Sequence, residues 1–123
     1  MRYPQLLETL FGSSTVYTSE NCDGVPADKF EPSEELCQHL DTLYDQFQHT
    51  LENTLPDFEP FEDCNRECDE FGQMQHDFIL TVNRHGAGFW DGDWKSGDEL
   101  TEICHLFREI EIYLGDDNLV HLY

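Results

Sequence analysis

Positive charge is scarce in this chain: six Lys and Arg stand against 27 Asp and Glu, for a formal net charge of −21. DNA, RNA and anionic lipid surfaces are held by Lys and Arg, so direct binding to any of them is not expected. Long apolar runs are missing too, with nothing near the roughly 20 residues that cross a bilayer, and no membrane association is expected. The stretch from Met1 to Phe11 has no continuous hydrophobic run and no small-residue cleavage site, so it does not read as a targeting segment. Cysteine is present but odd in number and irregular in spacing (Cys22, Cys37, Cys64, Cys68, Cys104), which excludes a regular disulfide frame and points to reduced thiols in the cytoplasm. There is no nucleophile motif and no phosphate-binding loop, and no cofactor is expected.

Aromatic residues, in contrast, are plentiful at 13% of the chain, far more than a disordered acidic tail carries. With 123 residues, one domain over 1–123 is expected, burying roughly two-thirds of its unfolded surface. Such a domain ordinarily carries a net charge of magnitude about 2–8, because unpaired like charges repel in the compact state. The surplus therefore calls for a function.

The residue pattern predicts an α+β fold: N-terminal acidic helices packed on a small antiparallel β-sheet with one further helix. A short helix is expected over Pro4–Phe11, stopped by Gly12, then a loop to Phe30 with a short strand at Thr15–Thr18. The strongest element is a helix from Glu34 to about Thr54, with Ser33 as N-cap and Pro56 beyond its end. Leu36, Leu40, Leu43, Phe47 and Leu51 form its apolar stripe, and Glu34, Asp41, Asp45 and Glu52 lie opposite. A second acidic helix is expected from about Phe61 to Phe71, with Gly72 as its stop. Residues 31–72 thus form an acidic helical part and 73–123 a hairpin, helix, hairpin part. In the latter, His76–Asn83 reads as a strand paired with Ala87–Asp91 across Arg84–Gly86. Ser96-Gly-Asp-Glu99 has the form of a capping box opening a helix to about Arg108, and Glu109–Leu114 pairs with Leu119–Tyr123 across Asp116–Asn118.

The segment HDFILTVNRHGAGFWDGDW resembles a family of small uncharacterised phage proteins that share an HDF-x-LT-x-N-x-HGAGFWD stretch. The matching residues are His76, Asp77, Phe78, Leu80, Thr81, Asn83, His85, Gly86, Ala87, Gly88, Phe89, Trp90 and Asp91. The resemblance covers the C-terminal part only; it implies a phage origin and no particular activity.

Residues 31–72 hold thirteen carboxylates and one basic residue, Arg66. On a helix, Asp41 and Asp45 lie about 6 Å apart along the axis, close to the spacing of phosphates along a strand. A fixed row of this kind suits a groove built with Lys and Arg for DNA. The expected function is a non-enzymatic DNA mimic that inhibits a host nucleic-acid-binding protein or enzyme: a restriction, repair, nuclease, CRISPR or nucleoid target. Its phosphate surrogates are Glu34, Glu35, Asp41, Asp45, Glu52, Asp57, Glu59, Glu62 and Asp63, with an apolar rim of Tyr44, Phe58 and Phe61. The partner is a basic DNA-binding host protein; two copies side by side, as a homodimer, would lengthen the charged row.

Other readings use other residues. A small hydrolase or nuclease would centre on His76, Asp77 and His85, with His85 as general base and Asp77 or Asp91 orienting it. Zinc would need Cys64, Cys68 and His76 with Asp77 or His85, but only half of a zinc signature is present and a core role for the thiols is simpler, so no metal is expected. Asp91-Gly-Asp93 and Gly115-Asp-Asp117 are fragments of calcium loops, well short of an EF-hand. The acidity also suits a structural or assembly protein, or the general acidity of a halophilic host.

Overall fold

In the computed structural model, residues 2–17, 24–64 and 70–123 are described, all but 70 and 71 with their side chains. Ser33 sets the main helix. Its hydroxyl accepts the backbone N–H of Leu36 at 3.1 Å, capping α2 (Glu34–Thr54), whose first turn carries Glu34 and Glu35 where the helix dipole favours anions. Leu36, Leu40, Leu43, Phe47 and Leu51 are buried along one side, as their spacing requires.

Before α2 come α1 (Pro4–Gly12), β1 (Thr15–Val16), β2 (Val25–Pro26), a 3-10 turn at Ala27–Lys29 and β3 (Glu31–Pro32). After it follow α3 (Pro60–Asp63), α4 (Glu70–Val82), a 3-10 turn at Phe89–Asp91, α5 (Gly97–Cys104) and the hairpin of β4 (Ile112–Leu114) and β5 (Leu119–Leu122). β1 and β2 pair antiparallel, while the main sheet runs β3-β5-β4. β4 pairs antiparallel with β5, and β3 adds a parallel edge in the register Glu31 to Leu119 and Pro32 to Val120. Gly115 N–H donates to Leu119 O at 2.9 Å, leaving Asp116, Asp117 and Asn118 as the tip of the β4–β5 hairpin, with Asn118 at φ 62° in the left-handed position that closes such a loop. Ser33 N–H donates to Val120 O at 2.8 Å, so the sheet feeds directly into the cap of α2. The fold is α+β, as the pattern predicts.

The core lies between α1, α2, α4 and α5 and is centred on Phe47, Phe78 and Phe89, all fully buried. The Phe47 and Phe78 rings are 4.7 Å apart, and Trp94 meets Phe89 edge-on at 5.7 Å. No helix among the described residues is long and apolar enough to cross a membrane.

Several local expectations are corrected. His76–Asn83 is not a strand: His76 to Val82 belong to α4, which buries Met74, Asp77, Phe78, Ile79, Thr81 and Val82, and Asn83 opens the turn after it. Gly72 lies inside that helix rather than stopping one. The stop is instead Arg84 at φ 55°, with His85 N–H donating to Leu80 O at 2.9 Å in a Schellman arrangement. Ala87–Asp91 has no strand to pair with, and Phe89–Asp91 forms the 3-10 turn. The expected Phe61–Phe71 helix is broken at Cys64, which is extended and bridges Trp94: α3 stops at Asp63, Glu70 and Phe71 belong to α4, and 65–69, with Cys68, lie outside the described residues. α5 ends at Cys104, short of Arg108. Ser96 makes no side-chain cap, since its hydroxyl is committed to Asp63.

Candidate functional site

The proposed surrogates divide into three groups. Asp41 and Asp45 sit mid-helix on the side where the start of α1 arrives. Asp41 Oδ2 accepts the backbone N–H of Arg2 at 3.1 Å, and its Oδ1 is buried with no partner among the described residues. Asp45 Oδ1 accepts the hydroxyl of Tyr3, and Oδ2 pairs with the Arg2 guanidinium, both at 2.5 Å. The Tyr3 hydrogen bond and then Arg2 hold the Asp45 carboxyl below the usual range; the same bond raises the phenol of Tyr3. These two acids anchor the N-terminal segment. The expected row is therefore interrupted at its centre by a guanidinium, which corrects the reading of Asp41 and Asp45 as open phosphate surrogates.

Asp63 is also engaged. Its carboxylate accepts Ser96 N–H at 2.9 Å on Oδ2 and Ser96 Oγ–H at 2.6 Å on Oδ1, while its carbonyl accepts Lys95 N–H at 2.9 Å. Asp63 thus pins α3 to the start of α5. Both its oxygens are occupied.

Glu34, Glu35, Glu52, Asp57, Glu59 and Glu62 are exposed. Glu34 and Glu35 stand at the N-terminal end of α2, apart from the other four, which follow one another around its C-terminal end and α3. The Asp63–Ser96 pin holds the start of α5 against α3, and Asp98 and Glu99 in the first turn of α5 are exposed. Asp57, Glu59, Glu62 and Asp63 line an open cleft of about 410 Å3 with Leu55, Phe58, Lys95 and Ser96. The pin from Asp63 to Ser96, with the Cys64–Trp94 bridge, brings the start of α5 to this cleft, a contact between distant parts of the chain that the local sequence does not announce.

Of the expected apolar rim, Tyr44 is corrected. It is 3% exposed, packs on Phe78 with ring centres 5.3 Å apart, and its phenol is pushed up by burial. Phe58 is partly buried and Phe61 is 76% exposed.

The His76, Asp77 and His85 set does not converge. Asp77 is 1% exposed and is a structural hub: Oδ1 accepts Gln73 Nε2–H at 2.9 Å and lies 3.0 Å from His76 Nδ1, and Oδ2 accepts Trp94 Nε1–H at 2.7 Å. A carboxylate beside Nδ1 can orient an imidazole for base catalysis, but no described hydrogen bond joins His85 to this pair. The remaining polar residues of the segment hold backbone. Thr81 Oγ accepts Phe89 N–H at 3.0 Å, and Asn83 Oδ1 accepts Ile110 N–H at 2.7 Å. No group of three or more His, Cys, Asp or Glu among the described residues is placed to hold a metal.

No protein-family model, curated protein or solved structure matches this chain.

Proposed function

We propose that this chain is a phage-encoded acidic DNA mimic, acting in the host cytoplasm, that inhibits a host nucleic-acid-binding protein or enzyme by occupying its cationic groove. The observation that carries the reading is the acidic end of the molecule: Glu52, Asp57, Glu59 and Glu62 exposed around the C-terminal end of α2, three of them lining one open cleft. Elsewhere two of the described arginines pair with carboxylates, Arg2 with Asp45 and Arg84 with Glu109, while Lys95 is the cation that lines the acidic cleft. Carboxylates at helix ends on a packed scaffold need no reordering on binding, which favours fast, electrostatically steered association with a basic surface. The mimic surface is thus shifted from the middle of α2 to its C-terminal end, with Phe58 and Phe61 as the apolar contacts.

The experiment is capture from host lysate on immobilised protein, at low and high salt, with duplex DNA as competitor. A DNA-binding protein retained at low salt and displaced by duplex supports the reading. A variant carrying Glu52→Lys, Asp57→Lys, Glu59→Lys and Glu62→Lys must lose that protein; equal capture by the variant overturns it. Asp41 and Asp45 are left intact, because reversing them disturbs the N-terminal anchor as well as the charge.

A further inference from the structure

Beside the acidic end lies a feature that charge alone does not use. A recess of about 170 Å3 between α2 and the early turns of α4 is walled mainly by Leu51, Leu55, Phe58, Pro60 and Met74, with Gln48 as a polar member and the exposed Glu52 also lining it. Leu55, Pro56 and Phe58 also line the acidic cleft, so the two hollows adjoin through shared walls. A cavity of about 150 Å3 with an apolar lining holds a molecule the size of benzene. The recess therefore has room for one leucine, methionine or phenylalanine side chain. Its surroundings bear on the flanks of any guest: Glu52 in the recess and Asp57, Glu59 and Glu62 in the neighbouring cleft, which outnumber Lys95 there, call for cations beside an apolar tip.

Proteins that bend or open DNA present that combination. They push a Phe, Leu, Ile or Met wedge between base steps while Arg and Lys hold the phosphates around it. We propose that the recess receives the DNA-inserting wedge of such a partner, the apolar lining standing in for base faces and the four carboxylates for the flanking phosphates. This rests on the DNA-mimic reading and narrows its target to nucleic-acid proteins that insert an apolar side chain into the base stack. A buried apolar anchor adds affinity that salt does not screen, whereas exposed ion pairs fade within a Debye length of about 8 Å at physiological salt.

The test uses the whole chain and two synthetic peptides, each with Arg and Lys flanks, one with a central leucine and the other with serine there. Affinity is measured by titration at about 50 mM and about 150 mM salt, with the Met74 methyl resonance as a local reporter. The leucine peptide is expected to bind about tenfold or more tightly at the higher salt and to shift the Met74 methyl. Equal affinity of the two peptides overturns the wedge socket while leaving the acidic surface standing. Failure of both peptides to bind at low salt overturns the acidic-surface reading and the socket with it. A Met74 shift on diluting the protein alone shows a second copy in the recess and also overturns the proposal. Because the decisive change is made in the peptide, no outcome depends on a variant folding.

Discussion

The indole N–H of Trp94 reaches Oδ2 of Asp77 at 2.7 Å, where Asp77 is 1% and Trp94 3% exposed. This contact ties the segment after the Phe89–Asp91 turn to the middle of α4. Trp94→Phe keeps an aromatic ring but leaves a carboxylate oxygen short of its donor where water is excluded. The expected cost is about 2–4 kcal/mol, read from urea denaturation, and Asp77→Ala should cost a similar amount by leaving the buried indole N–H without its acceptor. A loss below about 0.5 kcal/mol in both would show that the pair does not stabilise the fold.

Three glycines should respond to alanine in opposite directions. A Cβ on Gly88, at φ 155°, would stand 2.4 Å from Thr81 Oγ, and one on Gly97 would stand 2.4 Å from the Phe89 carbonyl oxygen. Gly88→Ala and Gly97→Ala should both lower the thermal midpoint, the second despite the better helix propensity of alanine. Gly12, at the end of α1, has nothing within 4 Å of its Cβ position. Gly12→Ala should raise stability by about 0.5–1 kcal/mol, and calorimetry on the three variants distinguishes the signs.

Tyr3 and Asp45 titrate as partners. The hydrogen bond to Asp45 raises the Tyr3 phenol above its ordinary value, so Asp45→Asn should bring a tyrosine titration downward in ultraviolet difference spectra. The same bond, with Arg2, depresses Asp45, and His121 followed by the Leu119 N–H depresses Asp117. A depressed carboxyl favours the fold above its unfolded pKa, near 3.9, and that contribution is lost as pH falls through the lower folded value. Replacing both acids with Asn should therefore flatten the acid limb of stability below about pH 4, and an unchanged limb would refute the assignment.

Net charge of −21 predicts a salt response independent of any partner. Raising NaCl from about 10 mM to about 500 mM shortens the screening length from roughly 30 Å to a few Å and relieves repulsion among the exposed carboxylates. The thermal midpoint should rise, by about 4 °C for each ~1 kcal/mol of repulsion removed in a chain of this size. A flat or falling midpoint would mean that the exposed acids are already compensated.

The main helix was legible because every local signal agreed: Ser33 capped it, acids filled its first turn, and five apolar residues kept helical spacing. The final hairpin was legible for the same reason. α4 was not. Five of its six buried positions, Met74, Asp77, Phe78, Thr81 and Val82, follow helical spacing, with Ile79 beside them, but two of the five are polar. Read by hydropathy, those two break the stripe and leave an apolar, β-branched run that imitates a strand. Their burial makes sense only with Trp94 and the Phe89 N–H in place, contacts that come from later in the chain. The same limit applied to the candidate surface. Composition located the acids on α2 and α3, but nothing local to Asp41 and Asp45 announced that Arg2 and Tyr3 would cover them.

β5 is the middle strand of the β3-β5-β4 sheet, yet it follows every other described element along the chain. A ribosome therefore releases both of its neighbours before the strand that joins them. Until Leu119–Leu122 emerges, β3 and β4 are unpaired edges, and Ser33 N–H lacks its acceptor on Val120. Helix packing can begin early, but closure of the sheet waits for translation of its last strand, and nascent chains halted before it will offer open backbone to chaperones.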